Sequence, residues 1–356
     1  MKTKIGKPLA AFIVLILIMA GAMSAAYAVE TDFGDIDVSS WQIETSEGVI
    51  TGKLYVPDTA TADSPAPAVL LIHGYQNDKD TSGTYALELA RRGIVTLCID
   101  AYGHGDTTIG LEARGYTHHK LPNWDATVSG PERFLIMMSF STMDFYTLPD
   151  IADSGMDSSM GARLAWQVLA ALPFVDADNM GVTGHSMGTW VAWSVAETFQ
   201  NHKAVVLQCG ELFPASYYDS EDVHFNNVLL LQAKIEEFTA FTDYTHSTNG
   251  LMETELRYHE FAGQDSPIDW DTTYGDFADG SARRIQLINA NHRLVTISHE
   301  GIATTADWFA SAFGISPSIS TDNQIAIWKE WLTLLGMLAA LGSMLPLLVL
   351  LTKTKL

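Results

Sequence analysis

In Gly184-His185-Ser186-Met187-Gly188, the residue types and their spacing could do chemistry. This G-x-S-x-G pattern holds a serine on a sharp turn between a strand and a helix. Glycines two before and two after the serine remove side chains that would clash across the turn. The hydroxyl is then presented at the carboxyl edge of a sheet, and the amide of Met187 faces the place where an oxyanion would form. The flanks suit that geometry. Asn179 to Thr183 reads as a strand, and Thr189 to Glu197 is apolar, glycine-free and readable as a buried helix.

A serine hydroxyl is a weak nucleophile at neutral pH. It needs a histidine to take its proton and a carboxylate to orient that histidine. On a parallel sheet with this turn, the chain order is serine, acid, histidine. For the acid, the apolar run Val228 to Gln232 ends in the small residue Ala233, and Glu236 follows three positions later. Glu237 is the alternate, and a solvated acidic helix start is the plain reading of both. For the base, His292 follows the last apolar run, whereas His299 follows Ser298, a helix N-cap by type. A loop residue at a strand end reaches a site more readily than one already in a helix, which favours His292 and keeps His299 as the alternate. The oxyanion hole needs two amides: that of Met187, and one after His73-Gly74, for which Tyr75 is the candidate. His73 precedes the serine in the chain and reads as a loop-packing residue.

Regular elements must carry these groups. Ile36 to Thr45 and Val49 to Val56 read as strands. Ala68 to Ile72 and Ile94 to Ile99 read as strands buried on both faces, and Lys203 to Gln208, Val228 to Gln232 and Ile285 to Ile288 as further strands. Helical stretches at 82–92, 159–172 and 298–313 alternate with them. Such alternation predicts an α/β fold, a mostly parallel central sheet with helices on both faces. Ligands bind such sheets at the carboxyl ends of the strands, where His73, Asp100 and Ser186 all fall. Residues 107–155 break the rhythm and are rich in aromatic and methionine side chains, which suggests a lid insertion.

Three segments in order, Leu71-Ile72-His73-Gly74-Tyr75, Asp100-Ala101-Tyr102-Gly103-His104-Gly105-Asp106 and Gly184-His185-Ser186-Met187-Gly188, resemble the α/β-hydrolase superfamily. The likeness is to its dienelactone-hydrolase-like and serine-aminopeptidase-like esterase groups, and it covers about residues 36–313. It implies Ser186 as nucleophile, Glu236 as acid, His292 as base, and Tyr75 and Met187 as amide donors. It implies a small-molecule ester substrate, no cofactor and no metal. The acid strand departs from the family, which usually has glycine and aspartate where this chain has Ala233 and Glu236. An amidase or peptidase with the same residues, and a binding protein on the same fold, are the competing classes.

The ends of the chain are of another character. Ala10 to Met19 is uncharged and apolar, preceded by Lys2, Lys4 and Lys7 and followed by Ala26-Tyr27-Ala28. Residues 1–28 therefore read as a signal peptide cleaved before Val29 or as an N-terminal membrane anchor, cleavage being slightly favoured. Trp331 to Leu351 has no charged residue and is long enough to cross a bilayer. It sets a hydrolase domain at 30–324 apart from a C-terminal transmembrane helix and short basic tail at 325–356. Lysines outside both apolar ends favour placing those ends inside the cell and the domain outside the cytoplasm. The chain carries 42 acidic and 20 basic residues, a net charge of −22, and several of its lysines lie at these ends. So acidic a body repels nucleic acid, which is not an expected partner. The two cysteines, Cys98 and Cys209, are expected as separate buried thiols, because two strands should lie between them in the sheet of this family.

Overall fold

Branched apolar runs become the central strands. The computed structural model describes residues 6–110, 157, 159–210, 224–237, 261–264 and 268–353. Its strands are β1 (Ile36–Glu44), β2 (Val49–Pro57), β3 (Ala66–Ile72), β4 (Val95–Ile99), β5 (Val175–His185), β6 (Ala204–Gln208), β7 (Val228–Ile235) and β8 (Arg283–Asn291). They form one sheet in the order β1-β2-β4-β3-β5-β6-β7-β8. β1 and β2 are antiparallel to each other, β2 is antiparallel to β4, and every pairing from β4 through β8 is parallel. The parallel strands thus end on one edge of the sheet, the edge that carries the candidate residues.

Alternation of side chains across the pleat builds two cores. Leu70 and Ile72 of β3 face one side, together with Val182, Leu207 and Leu230. Helices α3 (Ala162–Ala170) and α4 (Met187–Thr198) cover that side, and Trp166 and Trp193 are fully buried there. Val69 and Leu71 face the other side, with Cys98, Val206 and Leu229, under α2 (Gly83–Ala90) and α5 (His299–Phe313). Ser298 caps α5 as its residue type predicts, its hydroxyl accepting from Gly301 N. The expected mostly parallel α/β architecture is what the chain adopts.

Cys98 lies in β4 and Cys209 just past β6, with β3 and β5 between. Both are buried free thiols, as expected. β7 and β8 run further than their apolar cores suggest, because the strands continue to pair past Ala233 and Ile288 through a register shift, with Ile235 opposite Asn291. The suggested lid falls almost wholly outside the described residues, which include only 107–110 of it.

Two long apolar helices flank the domain, α1 (Gly6–Glu30) and α6 (Ala326–Lys353), each long and apolar enough to cross a membrane. α1 continues without a break through Ala26-Tyr27-Ala28.

Candidate active site

β5 delivers the chain into the turn at Ser186, whose φ of 53° and ψ of −117° form a conformation rarely adopted by residues with a side chain. The turn is closed too tightly for side chains beside it. A Cβ on Gly184 would stand 2.0 Å from Gly188 O, and one on Gly188 would stand 2.5 Å from Ile72 O. Hydrogen bonds hold the strained residue from both sides. Ser186 N donates to Gln208 O at 2.9 Å, while Thr189 N and Oγ1 donate to Ser186 O at 2.9 and 2.6 Å. α4 begins at Met187, so the unpaired amides and positive end of a helix stand at the serine.

The acid and base candidates come from the two strands farthest along the sheet. His292 Nδ1 and Glu236 Oε2 are 2.9 Å apart, and both side chains are buried. A carboxylate can only accept, so Nδ1 carries the proton of this bond. Glu237 Oε2 accepts from His292 N at 2.9 Å. The two adjacent glutamates, alternatives in the sequence, therefore both hold His292, one by its ring and one by its backbone. A third contact ties this loop to the serine turn: His185 Nε2 donates to His292 O at 2.9 Å. Burial, with His292 alongside, pushes the His185 imidazole down to about 3, so it stays neutral.

Gly74 completes the setting. A Cβ there would meet His185 Nδ1 at 2.8 Å and Ser186 Cβ at 3.2 Å, so the backbone of this loop lies directly against the serine. The loop is fixed by His73, whose Nδ1 donates to Gly74 O at 2.7 Å and whose Nε2 accepts from Ala101 N at 3.1 Å. Both ring nitrogens are committed, and burial lowers the imidazole to about 4. This fits the loop-packing role read from chain order. His299 is elsewhere: it opens α5, it is exposed, and its Nε2 bonds Asp322 O at 3.1 Å.

His185, Cys209 and His292 offer nitrogen and sulfur atoms within 4.8 Å of one another, a spacing that could suit a metal. Their chemistry argues against that use. His292 Nδ1 is held by Glu236, His185 Nε2 by a carbonyl, and burial beside Glu236 pushes the Cys209 thiol well up, away from the thiolate a metal needs. Sequence reasoning missed His185 as the link between the serine and histidine loops. Its place inside the glycine pentapeptide was visible, but its partner lies across two intervening strands.

Residues 69–310 match the alpha/beta hydrolase family. Among solved structures, the chain is similar to a PEG-bound cold-adapted esterase from an Arctic intertidal metagenomic library. That match has 17% identity and a TM-score of 0.45, covering 77% of this chain and 93% of the other. It is also similar to a dienelactone hydrolase-like promiscuous phosphotriesterase from metagenomic libraries. There the identity is 17% and the TM-score 0.46, covering 87% of this chain and 98% of the other. No curated protein matches the chain.

Proposed function

The chain belongs to the alpha/beta hydrolase family, and on that premise we propose that it is a serine hydrolase that cleaves carboxylic esters through an acyl-enzyme. The observation that carries this reading is the buried 2.9 Å bond from His292 to Glu236, on a loop tied by His185 to the strained Ser186 turn. Ser186 Oγ attacks the ester carbonyl while His292 Nε2 takes its proton. Glu236 holds the ring in the required tautomer and stabilises the imidazolium that forms. The amides of Met187 and Tyr75 receive the developing oxyanion. His292 then returns the proton to the departing alcohol, and a water activated by the same ring releases the acid.

The enzyme is held at the cell membrane through the C-terminal helix, with its domain outside the cytoplasm. Lys2, Lys4 and Lys7 before one apolar segment and Lys353 and Lys355 at the end of the other support that orientation. A fluorophosphonate probe should label the wild-type protein and not Ser186→Ala, and p-nitrophenyl esters should be hydrolysed only by the former. Labelling of the mutant, or its retention of esterase activity within a few-fold of wild type, would sink the assignment. A series of esters of increasing acyl length then defines the preferred substrate.

A further inference from the structure

We propose that residues 6–30 remain in the working protein and pair with α6 as an antiparallel two-helix anchor whose outer faces are covered by lipid acyl chains. This rests on the membrane reading of α6 and settles a question that reading leaves open, namely the fate of the N-terminal segment. The pairing has a definite register. Glu30 lies beside Lys329, Met23 and Ala22 lie against Gly336, and Leu15 lies against Gly342. Numbers fall along α1 as they rise along α6, so the helices are antiparallel and in contact over most of their length.

Small residues make that approach possible. A Cβ on Gly336 would stand 2.8 Å from Met23 Sδ. Ala22, Ala26 and Val29 recur at helical spacing along α1 and are buried; on α6, Ala339 and Ser343 follow Gly336 on one face and are buried too. Close packing of small residues is how helices associate in lipid, where no hydrophobic drive separates them from the solvent. The opposite faces are largely apolar. Ile13, Val14 and Leu17 on α1, and Leu338, Leu341 and Leu345 on α6, are exposed with no part of the described chain over them. At about 1.5 Å per residue, the 25 residues of α1 span roughly 38 Å, more than a bilayer's hydrocarbon core of about 30 Å. Water would leave both faces unburied, and acyl chains of that depth cover both.

Among the described residues, the domain grips the pair at the end that carries Glu30 and Lys329. Glu30 Oε1 lies 3.1 Å from Lys53 Nζ and 3.5 Å from Lys329 Nζ, and it accepts from Tyr55 OH at 3.2 Å. Glu88, fully buried on α2, caps the start of α6, its Oε1 accepting from Ile325 N at 2.6 Å and Ala326 N at 2.9 Å. Its Oε2 is held by Arg91 and Arg92, and Arg91 reaches Asp32 just past α1 at 3.2 Å. Cleavage before Val29 would strip α6 of its partner along the glycine face while leaving Glu30 behind.

The test uses the full chain, expressed in cells and recovered with membranes after an alkaline wash. Intact mass should show a chain that still contains residues 1–28. In membranes, Met23→Cys with Gly336→Cys, and separately Leu15→Cys with Gly342→Cys, should form disulfides on mild oxidation. Leu17→Cys with Leu341→Cys, both on outer faces, should not. A membrane-bound chain that begins at Val29 would overturn the inference and leave a single-helix anchor standing. A full-length chain that oxidises at the outer pair and at neither inner pair would overturn the packing. Recovery of the full-length chain in the soluble fraction would overturn the membrane reading itself.

Discussion

Asp100 at the end of β4 and Glu236 at the end of β7 are both buried carboxylates on the same edge of one sheet, yet their surroundings differ. Asp100 Oδ1 accepts from Lys79 N at 2.7 Å. Its Oδ2 accepts from Thr51 Oγ1 at 2.7 Å, Lys79 Nζ at 2.7 Å and Asp106 N at 3.0 Å. Burial alone would raise this carboxyl, but the ammonium and amides outweigh it and hold it below the usual carboxylate range. Its charge is compensated at all times, so its task is to fix the loops after β3 and β4. Glu236 instead faces an imidazole, accepting from His292 Nδ1 at 2.9 Å. In the proposed reaction His292 takes the serine's proton, and this bond would then gain strength. A carboxylate aimed at a group that charges during the reaction stabilises the transition state more than the ground state. A carboxylate neutralised by a permanent cation stabilises only the fold.

The largest expected effect tests the catalytic side of this contrast. His292→Ala should lower turnover by roughly 10³-fold or more, while His299→Ala stays near wild type. Ester hydrolysis at saturating substrate measures both, and the opposite ordering would move the base role to His299. Next come the two carboxylates themselves. Glu236→Gln should cut kcat by on the order of 10²-fold or more with a small change in unfolding midpoint, because the wrong tautomer or a weaker imidazolium partner results. Asp100→Asn should do the reverse. Losing the charge-assisted hydrogen bonds of this buried carboxylate costs about 1–3 kcal/mol of stability, whereas turnover per probe-reactive molecule should change little. If Asp100→Asn lost activity at undiminished stability, the distinction between the two carboxylates would collapse.

A smaller effect follows from pH. His73, His185 and His202 are buried and pushed down to about 4, 3 and 4, chiefly by burial. Their unfolded forms take up protons below about 6.5, so the unfolded state binds more protons in the window below that value. Stability should therefore fall as pH drops from about 6.5 toward 4, by at most about 1.4 kcal/mol per pH unit for each imidazole. Denaturant midpoints at pH 7 and pH 5 measure it. An unchanged midpoint would mean that these rings are not held neutral, while the Asp100 cluster should be indifferent over the same range.

Much of this was legible in the residues alone. A short continuous apolar run such as Ala68 to Ile72, flanked by Pro67 and His73-Gly74, reads as a strand covered on both faces. The glycines around Ser186 announce a turn with no room for side chains, and Ser298 marks a helix start by its hydroxyl. These signals are local, and local backbone preference is written in neighbouring residue types. The choice between Glu236 and Glu237, and between His292 and His299, is of another kind. It depends on how far β7 and β8 continue to pair beyond Ala233 and Ile288, and the shift that sets Ile235 opposite Asn291 brings both glutamates to His292. Strand register is a property of two segments some fifty residues apart, so neither segment contains it. The same holds for Glu88 at the start of α6 and for Gly336 against Met23. Apolar composition declares that such helices avoid water, but only the folded chain decides which faces meet, because packing depends on shape across segments that are distant in sequence.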